Sequence, residues 1–435
     1  VKLVEASGLT LDNAATTYRR VGTDGVLGAA VTDAALGQGL AAGGTLDLSV
    51  GGALLVNAAV SAADTTVVSV TGALTQGANV TVSGSGKTLE VTAASVAMSA
   101  NAVQLGTNGG DLRVTTTSGD MTLSTVSAVN GSSKGDVALV SAGLIGDLDG
   151  SSLISGAGLL LKAQGTTAGH QGIGAVGNAL NTSVDTLALS SAGGDVVVTE
   201  VNTLTLGAVS VDVVGALGSV VTSSAEDVTL LGNGHVVLQV TSGDVTLTAG
   251  TGEVRATGSG NVRLEAVSGA LTLGAVIDAG TGAASVLSGG AQSYTASADV
   301  LAGAGVDVQA GGAVTMVSGT VLQTVGTAIR VNAGGAVALG VLDARTALDR
   351  TNATTADQGN WGQVSVVAAG ALSDAAATVG VDVYAKVARV SATGAVGAAD
   401  ALDLEVSTLS LSAGGAVKLV EASVLTLDNV GTTYR

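Results

Sequence analysis

A chain of 435 residues with 66 glycines and no proline, cysteine or phenylalanine excludes disulfide staples and an ordinary set of aromatic-cored domains. Proline lacks the N–H that a sheet ladder consumes, so its complete absence points to strands paired on both sides. The formal charge of −18 rests on only 11% charged residues; 16 scattered Lys and Arg exclude a nucleic-acid surface, and 46% apolar content excludes a disordered acidic tail.

The chain opens on VKLVEASGLTLDNAATTYR (1–19), and 417–435 reads VKLVEASVLTLDNVGTTYR. Sixteen of the 19 positions match; the exceptions are Gly8/Val424, Ala14/Val430 and Ala15/Gly431. This predicts a larger repetitive polypeptide in which 1–416 is one long-period repeat and 417–435 starts the next. Further along, GDLRV (Gly110–Val114), GDMTL (Gly119–Leu123) and GDVALV (Gly135–Val140) each set turn residues before an alternating apolar strand. Midway, GDVVVTEVNTLTL (Gly194–Leu206) aligns with GAVKLVEASVLTL (Gly415–Leu427), which makes Glu5, Glu200 and Glu421 equivalent at spacings of 195 and 221 residues. The repeat is thus expected to hold two unequal halves, 1–195 and 196–416, with coils inserted or deleted.

The clearest run spans His235 to Gly274, with turn glycines Gly243, Gly252, Gly260 and Gly269, so that alternate turns lie 17 residues apart. Val245 and Leu247 share one face with Thr246 and Thr248 on the other; Val262 and Leu264 repeat this with Arg263 and Glu265 outside. A period of two predicts half-buried strands. GAVTM (Gly312–Met316), GAVAL (Gly335–Leu339), GQVSV (Gly362–Val366) and GAVKL (Gly415–Leu419) continue the pattern. The uncharged run Val308–Ile329 alternates like a strand and carries Gly, Thr, Gln and Ser throughout, which argues against a transmembrane helix.

Many short strands at close spacing with a Val, Leu and Ala core predict an all-β parallel β-solenoid, a rod in which stacked coils bury what one coil cannot. NTSVDTLALSSAGGDVVVTEVNTLTLG (Asn181–Gly207) and HVVLQVTSGDVTLTAG (His235–Gly250) resemble repeats of giant bacterial filamentous-haemagglutinin-like adhesins, and GQVSVVAAGALSDA (Gly362–Ala375) has the same character. The resemblance implies a right-handed parallel β-helix on an exported, extracellular cell-surface protein. The expected role is structural: a filament segment mediating adhesion or cell-cell contact. Its expected partners are neighbouring repeats or copies of the same protein, with cell-surface glycans or proteins, and neither nucleic acid nor a membrane span. In a separate subunit, the open strand edge at a solenoid end would template head-to-tail assembly.

Chemistry-bearing residues are sparse. His170 in TTAGHQGIG reads as a loop residue and His235 as a strand opener; neither has the spaced partners of a triad or a metal site. No catalytic residue, metal or cofactor is expected. TNGGDL (Thr107–Leu112) and AGGDV (Ala192–Val196) lack the tandem nonapeptides of a calcium roll, and the threonines at 115–117, 246 and 248 form rows too broken to bind ice. The longest polar excursion, Asp343–Trp361, gathers Asp343, Arg345, Asp349, Arg350, Asp357 and Trp361. Parallel β-helices host glycan-active enzymes, whose acid pairs face one groove, so this loop is the alternative site: a β-helical glycan-active enzyme, or a non-catalytic glycan-binding rod with Trp361 as stacking platform. The plainer reading is a solvated loop leaving the solenoid, with Trp361 covering the core beneath it.

Overall fold

The computed structural model describes residues 1–99, 101, 103–215, 218–351, 357–375 and 380–433. It is nearly all strand, with 2% helix, and its parallel strands stack as a β-solenoid of about 16 turns counted over the whole chain. The described chain divides into two compact units: Val1–Asn181 with Ser210–Ser224, and Thr182–Val209 with Ala225–Arg435.

In the second unit each coil carries three short strands and three turns. Val236–Val240, Val245–Leu247 and Val254–Ala256 make one coil; Val262–Ala266, Leu271–Leu273 and Ile277–Asp278 make the next. From Val236–Val240 to Val341–Asp343 each strand pairs in parallel with the strand three places on, whereas the long strands Val383–Ala392 and Leu402–Ala413 pair directly with each other. The register places Val236 on Val262, Ala284, Val306, Ile329 and Val364 in succession, all buried. Leu238, Leu264, Val286, Val308 and Val331 form a parallel stack beside them. Alternation therefore builds continuous aliphatic ladders inside and leaves Arg263, Glu265, Asp307 and Arg330 outside.

The 17-residue spacing of alternate turns is not the coil period. With three turns per coil, it is the third turn that recurs: Gly243 stacks against Gly269, and Gly234 against Gly260, 26 positions apart in each case. A Cβ on Gly260 would collide with the Gly234 carbonyl oxygen, and one on Gly282 with that of Gly260, so coil-to-coil contact requires glycine in this column. The residue after the glycine has a distinct task. Asp195 Oδ1 accepts the His235 N–H at 2.8 Å, His235 Nδ1 accepts the Asn261 N–H at 3.0 Å, and Asn261 Oδ1 accepts the Ala283 N–H at 2.9 Å. Each turn side chain thus caps a strand-leading N–H of the next coil.

The first unit has the same plan. Leu46, Thr66, Leu89, Leu112, Val137 and Leu159 stack on one side. Leu9, Leu54, Leu74, Val96, Met121 and Ile145 stack on a second, and Leu40, Val60, Val80, Leu105, Val126 and Ile154 on a third. Turn caps recur too: Asp111 takes the Asp136 N–H at 2.9 Å, and Asp136 the Gly158 N–H at 2.6 Å.

The three equivalent glutamates sit alike, each ending a strand and accepting from the turn beyond. Glu5 accepts the Ser7 N–H at 2.9 Å, Glu200 those of Val201 and Asn202 at 2.8 and 3.0 Å, and Glu421 that of Ser423 at 3.2 Å. Glu200 also takes the Thr182 hydroxyl and the Val184 N–H, and Glu421 the Val406 N–H. Burial pushes the Glu200 carboxyl above the ordinary range, against these donors.

Besides a short hairpin, Val129–Asn130 with Ser133–Lys134, two longer two-stranded arms leave the coils. Thr16–Val21 and Leu27–Asp33 pair antiparallel through a turn in which Gly25 adopts φ 78°. Val209–Val214 and Val220–Ala225 form a second two-stranded arm, closed by the Gly215 N–H donating to the Ser219 carbonyl at 2.7 Å. The run Val308–Ile329 is divided among strands Gly305–Ala310, Val314–Met316, Val321–Gln323 and Ile329–Ala333. No helix among the described residues is long and apolar enough to cross a membrane.

Candidate functional site

The excursion Asp343–Trp361 lies within the second unit, between the strands Val341–Asp343 and Gln363–Ala368; residues 352–356 lie outside the described ones. A five-residue helix, Ala347–Thr351, and a 3-10 turn, Gln358–Asn360, shape it. Asp343 is buried at the strand end. Its carboxylate receives Arg345 Nε and Nη2 at 3.0 and 2.8 Å, the Arg345 backbone N–H at 3.0 Å and Arg350 Nε at 3.1 Å. Burial would push this carboxyl up, but the Arg345 hydrogen bonds and the two guanidinium charges hold it below the ordinary range.

The Arg345 guanidinium lies 3.7 Å over the Tyr384 ring, and Trp361 meets the same ring edge-on at 6.2 Å and 68°. Asp349, also buried, accepts the Thr346 hydroxyl at 2.8 Å, Trp361 Nε1–H at 2.8 Å and the Asp357 N–H at 3.2 Å. These donors, Thr346 foremost, hold its carboxyl below the ordinary range. Asp357 is exposed and caps the 3-10 turn, accepting the Gly359 N–H at 2.9 Å.

All six sequence-chosen residues therefore lie in one network, in which Arg345 and Arg350 both pair with Asp343, while Asp349 and Asp357 accept from neutral donors. A sugar-stacking ring must offer a face to solvent; Trp361 is 4% exposed. The two buried acids, Asp343 and Asp349, are aimed at Arg345, Arg350, Thr346 and Trp361. What this arrangement does chemically is clamp an insertion onto the coil.

A different place, in the first unit, is open. A cleft of about 680 Å³ is lined by Gly119, Gly143, Gly165, Asp120 and His170. His170 Nδ1 lies 2.6 Å from Asp120 Oδ2, while Asp120 Oδ1 accepts the Leu144 N–H at 3.0 Å. The carboxylate thus orients the imidazole. Ser118, Thr122, Thr166 and Thr167 also line the cleft, and among the described residues none of their hydroxyls hydrogen-bonds His170. This pairing is invisible at short sequence spacing, because Asp120 and His170 are 50 residues apart and meet only through coil stacking. The usable signal is the coil period, which puts Asp120, Leu144 and His170 on neighbouring coils.

His235 serves as a turn cap, as described above. Among the described residues no group of three or more His, Asp or Glu side chains could hold a metal ion. Comparison with protein-family models, curated proteins and solved structures finds no match for this chain.

Proposed function

We propose that this chain is a structural segment of an extracellular rod, part of a giant repetitive cell-surface protein of the filamentous-haemagglutinin-like kind, working in reach and adhesion. The observation that supports this reading most is the cross-coil reinforcement within each unit. Backbone ladders, aliphatic stacks and turn-side-chain caps such as Asp195, His235 and Asn261 all run from coil to coil. Such a lattice resists load along the coil axis, because a pull must break many bonds in parallel. The acidic surface, with a formal charge of −18, favours solubility and repels other acidic surfaces.

The test is to measure the native polypeptide by denaturing gel and to label intact cells with antibody against this segment. A surface-labelled chain of several hundred kilodaltons supports the reading; labelling only after cell lysis sinks it. A second reading, a non-catalytic glycan-binding rod, draws support from the His170 cleft, whose volume is of ligand size. A glycan array on which binding disappears with His170→Ala would favour it; retention on that variant would remove the cleft from consideration.

A further inference from the structure

The sequence shared by 1–19 and 417–435 shows a different edge of one coil at each occurrence. At 1–11 it bonds to the coil that follows. The Val1, Glu5 and Leu11 carbonyls accept the Asp47, Gly51 and Asn57 N–H groups at 2.8, 2.7 and 2.9 Å, and Leu3 and Leu9 stack on Leu48 and Leu54. At 418–428 it bonds to the coil that precedes. The Lys418, Ala422 and Asp428 N–H groups donate to the Val396, Leu404 and Leu409 carbonyls at 2.9, 3.0 and 3.1 Å, and Leu419 and Leu427 stack on Leu402 and Leu409. Successive backbone groups of a strand point to opposite edges, so the two sets of bonds use different atoms of the repeated sequence and do not compete.

The glutamate motif marks what the first copy lacks. In the middle copy the Val201 N–H donates to the Thr182 carbonyl of the preceding coil at 3.1 Å, Glu200 accepts the Val184 N–H at 3.0 Å, and the Gly207 N–H donates to the Leu187 carbonyl at 3.2 Å. The third copy repeats all three contacts: Ala422 with Leu404, Glu421 with Val406, and Asp428 with Leu409. Their counterparts Ala6, Glu5 and Asp12 meet no preceding strand among the described residues. Lys2–Glu5 pairs with Leu46–Val50 on one side, and Glu5 accepts from Ser7 of its own turn. Leu3 is accordingly half-buried, whereas Leu402 and Leu404 are 0% and 1% exposed.

We propose that the free edge of Val1–Leu11 is an interface whose partner is the coil Leu402–Ala413 of a second copy of this repeat placed before it, in the register Leu3 on Leu402, Glu5 on Leu404 and Leu11 on Leu409. Leu402–Ala413 is the segment already seen to pair with this sequence, at 16 identical positions of 19. Stacking there gives Glu5 the Val406 N–H, places Leu3 between Leu402 and Leu48, and carries the backbone ladder from repeat to repeat without a linker. The proposal rests on the reading of this chain as one link of a repetitive polypeptide, but not on where that polypeptide is located.

Hydrogen exchange read by mass spectrometry tests the joint in a two-repeat chain, residues 1–416 followed by 1–435. The peptide Lys2–Asp12 occurs twice in it and should split into two equal populations, one fast and one at least about tenfold slower; the 435-residue chain should show the fast one alone. A single fast population in the two-repeat chain overturns the proposal. The register is tested in the 435-residue chain by Val424→Gly, Val430→Ala and Gly431→Ala together, which give 417–435 the residues of 1–19. Val424 is 88% exposed, so protection at Lys418, Ala422 and Asp428 should stay within about threefold of wild type. Loss of that protection while Gln363–Ala368 keeps its own shows that the first coil's sequence does not fit this edge, and overturns the proposal as well. Failure of the extracellular-rod reading shows elsewhere, as absent surface labelling of intact cells, and leaves both exchange patterns unaltered.

Discussion

At the scale of single residues, the Gly-Asp turn divides two physical tasks between neighbours. Glycine permits carbonyl-to-Cα approach between coils, and the following Asp or Asn caps an N–H one coil on. Asp244 Oδ1 accepts the Ala270 N–H at 2.8 Å, so Asp244→Ala should cost about 1 kcal/mol in urea unfolding. Gly260→Ala should cost several times more, because its Cβ meets the Gly234 carbonyl. The buried pair Tyr294 and Gln292 follows the same logic of satisfaction. Tyr294, 2% exposed, donates its hydroxyl to Gln292 Oε1 at 2.7 Å, and Gln292 Nε2 donates to the Val286 and Gln309 carbonyls at 3.1 and 2.8 Å. Tyr294→Phe keeps the ring but leaves Gln292 Oε1 unpaired in the core. We expect a loss of about 1–3 kcal/mol by denaturant titration, more than the ring's hydroxyl alone would suggest.

At the scale of elements, the insertion after Val341–Asp343 is a clamp. Trp361→Ala should cost about 3–5 kcal/mol in thermal or urea unfolding, the usual toll for emptying a buried aromatic site. Glycan binding on an array should not change with it; selective loss of glycan binding with stability retained would restore the sugar-platform reading. Nearby, Asp382 at the start of the strand region Val383–Ala392 has its carboxyl pushed up to about 7 by burial, with Asp374 and Asp403 facing it and the Asp403 N–H donating in return. The folded state therefore holds this proton more tightly than the unfolded chain, whose carboxyl titrates near 3.8. Stability from this group is complete below about pH 4 and is lost as pH rises toward 7, a change on the order of a few kcal/mol. Asp382→Asn should melt higher than wild type at about pH 8, and the gain should vanish near pH 4. An equal gain at both pH values would remove the titration from the account.

At the scale of the whole molecule, coils that contact only their neighbours make stability local and additive. Leu264→Ala should cost about 2–5 kcal/mol. Hydrogen exchange should show the loss in the adjoining strands Val236–Val240 and Ala283–Ser288, with protection retained in Gln363–Ala368. Uniform loss across all strands would mean global two-state cooperativity instead. The second arm illustrates how an appendage modifies this scheme. By covering Ala138 and Leu160 it lets outward positions be apolar, which breaks the alternation of Val137–Ser141 and Gly158–Ala163 without exposing the residues.

The parallel solenoid was legible in the amino-acid sequence because its causes are local. Alternation of Val and Leu with polar residues, glycine at the turns and the absence of proline each act within a few positions. The equivalence of Glu5, Glu200 and Glu421 was equally legible, and those side chains do share one turn geometry. Only the tertiary structure decided which turns stack, since the three-strand coil brings Gly243 to Gly269 rather than repeating the 17-residue spacing. It alone paired Asp120 with His170, closed Asp343, Arg345 and Arg350 on one another, and laid one hairpin on a sheet while leaving the other bare. The turns and the Asp120–His170 pair depend on which residues meet across coils, whose offsets run from 20 to 40 positions, and that register is set by summed turn and strand lengths; the Asp343 cluster closes within its own insertion.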